Sequence, residues 1–197
     1  MSDFAKLDIF GGAAALDFAN SLDGRGTDDP EEYLHTYADL VDWGRFAGVL
    51  DEPTARRLTG DHPAVLRTAL DLREAIFQVF VAIGRGREAP ADSLATVQAR
   101  YAEAMAVARL APGGDAFDWR FDADDPGRAW WPMAVSAVRL LTEGPLDRVK
   151  VCAAEAGCIG LFVDTSKNRS RRWCTMDGCG VEAKVQRQAR RRARSRG

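Results

Sequence analysis

The 197-residue sequence predicts a mainly α fold, in which a helical N-terminal domain with one small β-hairpin precedes a compact C-terminal unit built around cysteines. Three observations predict it. Apolar residues recur at three-and-four spacing through most of the first 144 positions. A Pro-Gly-Gly break between Leu110 and the alternating Phe117, Trp119 and Phe121 interrupts that period and reads as a hairpin. All four cysteines fall within residues 152–179, beyond the Gly144-Pro145 stop that divides the chain into domains of residues 1–144 and 147–197.

The elements follow in order. "GGAAALDFANSL" (11–22) reads as the first helix, and the turn-rich "DGRGTDDP" ends it. In "DDPEEYLHTYADLVDWGRFAGVL" Asp29 is the expected N-cap, Pro30 takes the first helical position, and Glu31 and Glu32 face the positive end of the helix dipole. Tyr33, Leu34, Tyr37, Leu40 and Val41 form its buried stripe. A short helix around "EPTARRLTG" leads to a longer one in "DHPAVLRTALDLREAIFQVFVAIGRG", with Leu66, Leu70, Arg73, Ile76, Phe77 and Phe80 on one face. "PADSLATVQARYAEAMAVARL" (90–110) repeats the period through Leu94, Val97, Tyr101, Ala104 and Ala108. After the hairpin, "WWPMAVSAVRLLTEGPL" resumes a helix near Pro132, with Val135, Val138 and Leu141 expected inward.

Charge separates the two parts. From Asp147 onward there are 13 Lys+Arg against 5 Asp+Glu, a net of +8, whereas residues 1–146 hold 14 against 24, a net of −10. A polyanion is attracted to the basic end, where binding releases condensed counterions, and repelled by the acidic body. No run approaches the ~20 apolar residues of a membrane span. The start "MSDFAKLDIFGG" lacks the build of a signal peptide, so a cytoplasmic protein with no membrane partner is expected.

In a reducing compartment clustered cysteines favour metal ligation over disulfides. Cys152, Cys158, Cys174 and Cys179 are spaced C-x5-C, x15, C-x4-C, two close pairs flanking an insert. Each pair can bring two sulfurs to one Zn²⁺, and "VKVC" and "GLFVD" flank the first pair as short β segments. A strand hairpin, a loop and a helix opening at the fourth ligand is the order of a treble-clef-like zinc finger. With four protein ligands the ion is structural, since no open position remains for a reacting water. The competing reading is four free or redox-active thiols.

Beyond the fourth cysteine, Lys184, Arg187, Arg191 and Arg194 share one helical face, and Val181, Val185 and Ala189 share another that is expected to sit on the finger. Arg169, Arg171 and Arg172 add cations between the cysteine pairs. Arginine forks can grip phosphates or guanine edges, which makes these seven the candidate nucleic-acid contacts. A merely solvated charge run is the alternative, and Trp173 is expected to pack in the finger core rather than stack on a base.

No catalytic set is evident. The chain holds only His35 and His62, with no Gly-rich phosphate loop and no nucleophile elbow, so an enzyme is not expected. Asp17 and Asn20, polar groups in an apolar helix, are candidates to line a small-molecule pocket with Arg73. The alternative is a buried pair that ties the helix to a loop.

Two blocks, "GGAAALDFANSLDGRG" with "YADLVDWGRFAGVLD" and "VCAAEAGCIGLFVDTSKNRSRRWCTMDGCGVEAKVQRQARRR", resemble one family of bacterial stress-induced transcription regulators. The first resembles the ABATE domain and the second the CGNR zinc finger, with "WWPMAVSAVRLL" between them. The resemblance implies a helical domain with a ligand-sensing role and a finger that binds DNA through its last helix. By match of motif, Cys152, Cys158, Cys174 and Cys179 take the ligand places. The naming tetrapeptide reads Cys179-Gly180-Val181-Glu182 here, and the first cysteine pair is one residue wider than usual. Three functions follow as expectations: a DNA-binding regulator, a homodimer if it spans two half-sites; an RNA- or ribosome-associated stress factor; and a protein-interaction module with a purely structural zinc.

Overall fold

The structure is a computed structural model that describes residue 4, residues 7–154 and residues 157–194, the side chains of 193 and 194 excepted. Its helices are α1 (Ala14–Ala19), α2 (Tyr37–Phe46), α3 (Glu52–Arg57), α4 (Pro63–Gly84), α5 (Ala91–Val107), α6 (Trp131–Thr142) and α7 (Val181–Arg194). Three antiparallel strand pairs accompany them: β1 (Leu22–Asp23) with β2 (Glu31–Glu32), β3 (Arg109–Gly113) with β4 (Ala116–Arg120), and β5 (Val149–Val151) with β6 (Leu161–Val163). None of the described helices is long and apolar enough to cross a membrane.

Helix α4 is the spine. Leu66, Ala69, Leu72, Ile76, Val79 and Phe80 bury most of its circumference, so α1, α5 and the β5–β6 hairpin can all pack on it. The α1–α6 contact is made close by small residues: Ala15 and Ala19 on one helix, Ala134 and Ala137 on the other, all fully buried. This corrects the expected face of α6. Trp131, Met133, Ala134, Ala137 and Leu140 point inward, and Val135, Val138 and Leu141 lie at the margin, because the alanine side allows the closer approach.

Two helix starts also differ. Helix α1 begins only after Gly12, whose φ of 76° turns the chain into the helix. Helix α2 begins at Tyr37, not Pro30, because Thr36 and Asp39 form a reciprocal capping box, and that local pair outcompetes Asp29-Pro30 as a start. Glu32 is instead in a strand, where it accepts the amides of Tyr33 and Leu34 and pairs with Arg73. His62 stands at the N-cap of α4, and exposed His35 donates its backbone N–H to Asp39.

The β3–β4 hairpin turns at Gly114-Asp115, with Gly114 at φ 78°. Its register puts Leu110 opposite Trp119 and Pro112 opposite Phe117, so one face of a two-stranded ribbon is apolar and exposed.

Alternation along β6 has the largest consequence. Leu161 and Val163 enter the core shared with α1 and α4, while Phe162 points the other way, against Cys152 and Cys174. A three-residue strand therefore has the helical body on one face and the cysteine cluster on the other.

Candidate metal centre and basic helix

The hairpin delivers the first two sulfurs. Cys152 follows β5, its amide donating to the Gly160 carbonyl, and Cys158 lies in the connection to β6. That connection is held against the body by two glycines: a Cβ on Gly26 would come within 1.9 Å of the Gly157 carbonyl oxygen, so the backbones touch directly. Cys174 and Cys179 come from the far side, Cys179 within a π turn (Met176–Gly180) that feeds α7.

The four sulfurs lie within 4.8 Å of one another. Cys158 and Cys174 are 3.7 Å apart and Cys174 and Cys179 3.5 Å, and the Cys174 amide donates to the Cys152 sulfur at 3.4 Å. These separations are far too long for a disulfide bond. They suit thiolates around one zinc, which a tetrahedron with ~2.3 Å bonds places about 3.8 Å apart. The donor set is all sulfur, four in number and closed by protein.

Acidities in the cluster are split by mutual crowding. Hydrogen bonds from the Cys158 and Cys174 thiols hold Cys152 far below the ordinary thiol range. Contact with Cys152, then Cys158, pushes Cys174 far above it, and burial together with the Cys158 charge lifts Cys179 to about 12. Four thiolates cannot coexist in this volume without a cation, and a divalent one supplies what the surroundings lack.

The loop between the cysteine pairs is organised by two residues that the sequence reading did not single out. Asp164, fully buried at the end of β6, accepts Lys150 Nζ at 2.6 Å, the Ser166 amide at 2.9 Å and the Arg171 amide at 3.0 Å. Lys150 also donates to the Arg169 and Arg171 carbonyls. Burial opposes ionisation of Asp164, but Lys150 and Ser166 outweigh it and hold the carboxyl well below its usual range.

That scaffold sorts the candidate nucleic-acid residues. Arg171 turns inward: its guanidinium stacks 4.3 Å over Phe162 and donates to the carbonyls of Trp173, Cys174 and Phe10. Arg169, at φ 53°, is paired with Asp147. Arg172 is exposed and lies 5.4 Å over the ring of half-buried Trp173. On α7, Lys184, Arg187 and Arg191 are exposed, whereas the Arg194 side chain lies outside the described residues.

Helix α7 is rotated relative to expectation. Val181 and Val185 are 49% and 59% exposed, so the apolar stripe does not sit on the finger. Instead Gly180 and Ala183 allow the helix to approach, and Lys184, Arg187 and Arg190 border a groove of about 230 Å³ with Arg172 and Trp173. The helix leaves the finger at the buried Gly180, where a Cβ would press on Met176 and Thr175. Glu182, in place of a cation, stands in the first turn, where the helix dipole favours an acid.

Asp17, Asn20 and Arg73 are each engaged in hydrogen bonds within the fold, as the alternative to a pocket held for Asp17 and Asn20. Asp17 accepts the Gly11 amide at 2.6 Å, and burial pushes its carboxyl up despite that bond. Asn20 exchanges two hydrogen bonds with the peptide of Leu161. Arg73 spends its terminal nitrogens on Glu32 and Ser21. All three tie elements of the fold together. Asn20 does line a cavity of about 350 Å³ beside Cys158, Cys174 and Cys179, but its amide is already engaged.

Two family models match the chain. A family model for ABATE, described as "Putative stress-induced transcription regulator", matches residues 12–144, and one for the CGNR zinc finger matches residues 148–192. No curated protein matches. The finger match and the four converging thiols together support a structural zinc.

Proposed function

Since the chain belongs to the ABATE and CGNR zinc-finger family, we propose that it is a cytoplasmic, non-enzymatic transcription regulator that binds duplex DNA through the C-terminal finger and responds to stress through its helical body. Cys152, Cys158, Cys174 and Cys179 hold the zinc. It fixes the π turn, and hence the direction in which α7 leaves the finger.

One observation carries the reading. Arg172, Lys184 and Arg187 are exposed around a single groove at the metal-fixed end of α7, with exposed Arg191 one turn further along. Side chains on a rigid helix can meet successive phosphates with little loss of conformational freedom, and arginine adds bidentate recognition of base edges. The acidic body supplies the opposite field and keeps a polyanion at the basic end.

The test is fluorescence anisotropy of the zinc-loaded full chain with labelled duplex DNA at low salt, competed by duplex RNA. Preference for DNA is expected. Equal or stronger competition by RNA supports an RNA-associated stress factor, and no binding at low salt leaves the finger as a protein-interaction module.

A further inference from the structure

A cleft of about 610 Å³ opens between the β3–β4 hairpin and α6, on the helical body and away from the cysteines. Part of its wall is apolar, Trp119 and Phe121 from the hairpin side and Pro132, Val135 and Leu140 from α6, and charged side chains complete it. Its volume falls in the range of small-molecule sites.

Its charge distribution is uneven. Arg120 and Arg139 line it, but each has a carboxylate nearby, Asp118 at 3.8 Å and Glu143 at 4.0 Å. Arg128 differs. It projects from the short 3₁₀ turn (Pro126–Ala129) that precedes α6, and its Nη1 is buried with no hydrogen-bond partner among the described residues. Its guanidinium carbon lies 5.6 Å from the centroid of the Phe121 ring. Burial pushes its pKa down and the more distant Asp51 opposes that shift, yet a guanidinium stays charged. Arg128 as a whole is half-buried, so its guanidinium borders the cleft while one of its N–H groups lacks an acceptor, which is unfavourable unless something supplies one.

We propose that this cleft binds an amphiphilic organic monoanion, an aromatic or branched aliphatic carboxylate, with its carboxylate on Arg128 and its apolar body between Trp119, Phe121 and the α6 wall. Asp118 and Glu143 at the rim select against phosphorylated ligands, because a second negative charge would face them. The apolar face of the hairpin, exposed at Leu110, Phe117 and Trp119, continues from the cleft and offers area to a longer ligand. The inference deepens the sensing half of the proposed function. It is independent of the DNA half.

The test is isothermal titration of the zinc-loaded full chain with 1-naphthoate, with the neutral 1-naphthalenemethanol and with 1-naphthyl phosphate, no nucleic acid being present. Naphthoate is expected to bind at least about tenfold more tightly than either comparison ligand. Arg128→Gln should bring naphthoate and the alcohol to within about twofold of each other. Should Arg128→Gln fail to fold, Val135→Phe, which fills the cleft without altering charge, should weaken naphthoate at least about tenfold. Equal affinities for acid and alcohol, no saturable binding of naphthoate, preference for the phosphate, or an unchanged naphthoate affinity in the variants would each overturn it. A chain that binds naphthoate but not DNA retains this inference and loses the DNA reading. The reverse result does the opposite.

Discussion

The side-chain amide of Asn20 and the peptide of Leu161 exchange two hydrogen bonds of 2.9 Å, Nδ2 to the carbonyl and the amide N–H to Oδ1. Asn20 thereby behaves as one more strand residue along β6. Gly11 repeats the pattern by accepting the Val163 amide, so the body satisfies the outer edge of the finger's hairpin while Leu161 and Val163 fill the shared core. The finger is built into the body rather than appended to it.

Asn20→Ala therefore strips two buried backbone groups of their partners. Chemical denaturation of the full chain should show a loss of about 2–4 kcal/mol. Hydrogen exchange should speed at Leu161 and Val163 as well as in α1. A loss confined to α1 would mean that the two parts fold independently.

The Lys150–Asp164 pair gives a pH signature. The folded pKa of Asp164 is depressed, so its contribution is fully present above the unfolded value near 4 and is lost as pH falls below that, towards the folded value. Urea unfolding followed from pH 7 to pH 2 should show a decline below about pH 4 that is shallower in Asp164→Asn. Identical slopes in the two proteins would remove Asp164 from the account.

Adjacent arginines should separate by role. Arg171→Gln removes contacts to three carbonyls and the stack on Phe162, so it should destabilise the chain by about 1.5–3 kcal/mol and hasten zinc loss to a chelator. Arg172→Gln should leave stability within about 0.5 kcal/mol and reduce the salt slope of DNA binding by about 1. Thermal melts and anisotropy distinguish the two, and the opposite assignment would reverse our orientation of the loop.

Zinc content should be one per chain and pH-dependent. Because the thiols must lose protons to bind the ion, affinity should fall as the solution is acidified, with protons released on loading at neutral pH. Chelation should remove hydrogen-exchange protection from residues 164–180 while α4 keeps its own, since β5 and β6 remain anchored in the shared core. Loss of protection throughout the chain would show that the metal supports the body too.

Much of this was legible in the sequence. Helical periodicity marked α4, α5 and α6, and the cysteine spacing marked the cluster, because both signals are local and repeated. What escaped was decided by contacts between distant residues. The capping box of Thr36 and Asp39 overrode Asp29-Pro30, and the alanine contact with α1 chose the inward face of α6. A tying role for Asn20 was one of the two readings of its sequence, but its partner Leu161, and the role of Asp164, depend on contacts that no periodicity reports. For α7 the pattern of valines suggested a buried stripe, but Val181 and Val185 face outward and the small Gly180 and Ala183 take the inner side.

The central claim is that a zinc-fixed helix presents arginines and lysine to a polyanion, and the salt dependence of duplex DNA binding tests it most directly. For the zinc-loaded full chain, log K should fall linearly with log[salt] at a slope of roughly −4 to −5, and binding should weaken sharply once the metal is removed. A slope near zero, or the same affinity before and after chelation, would contradict it.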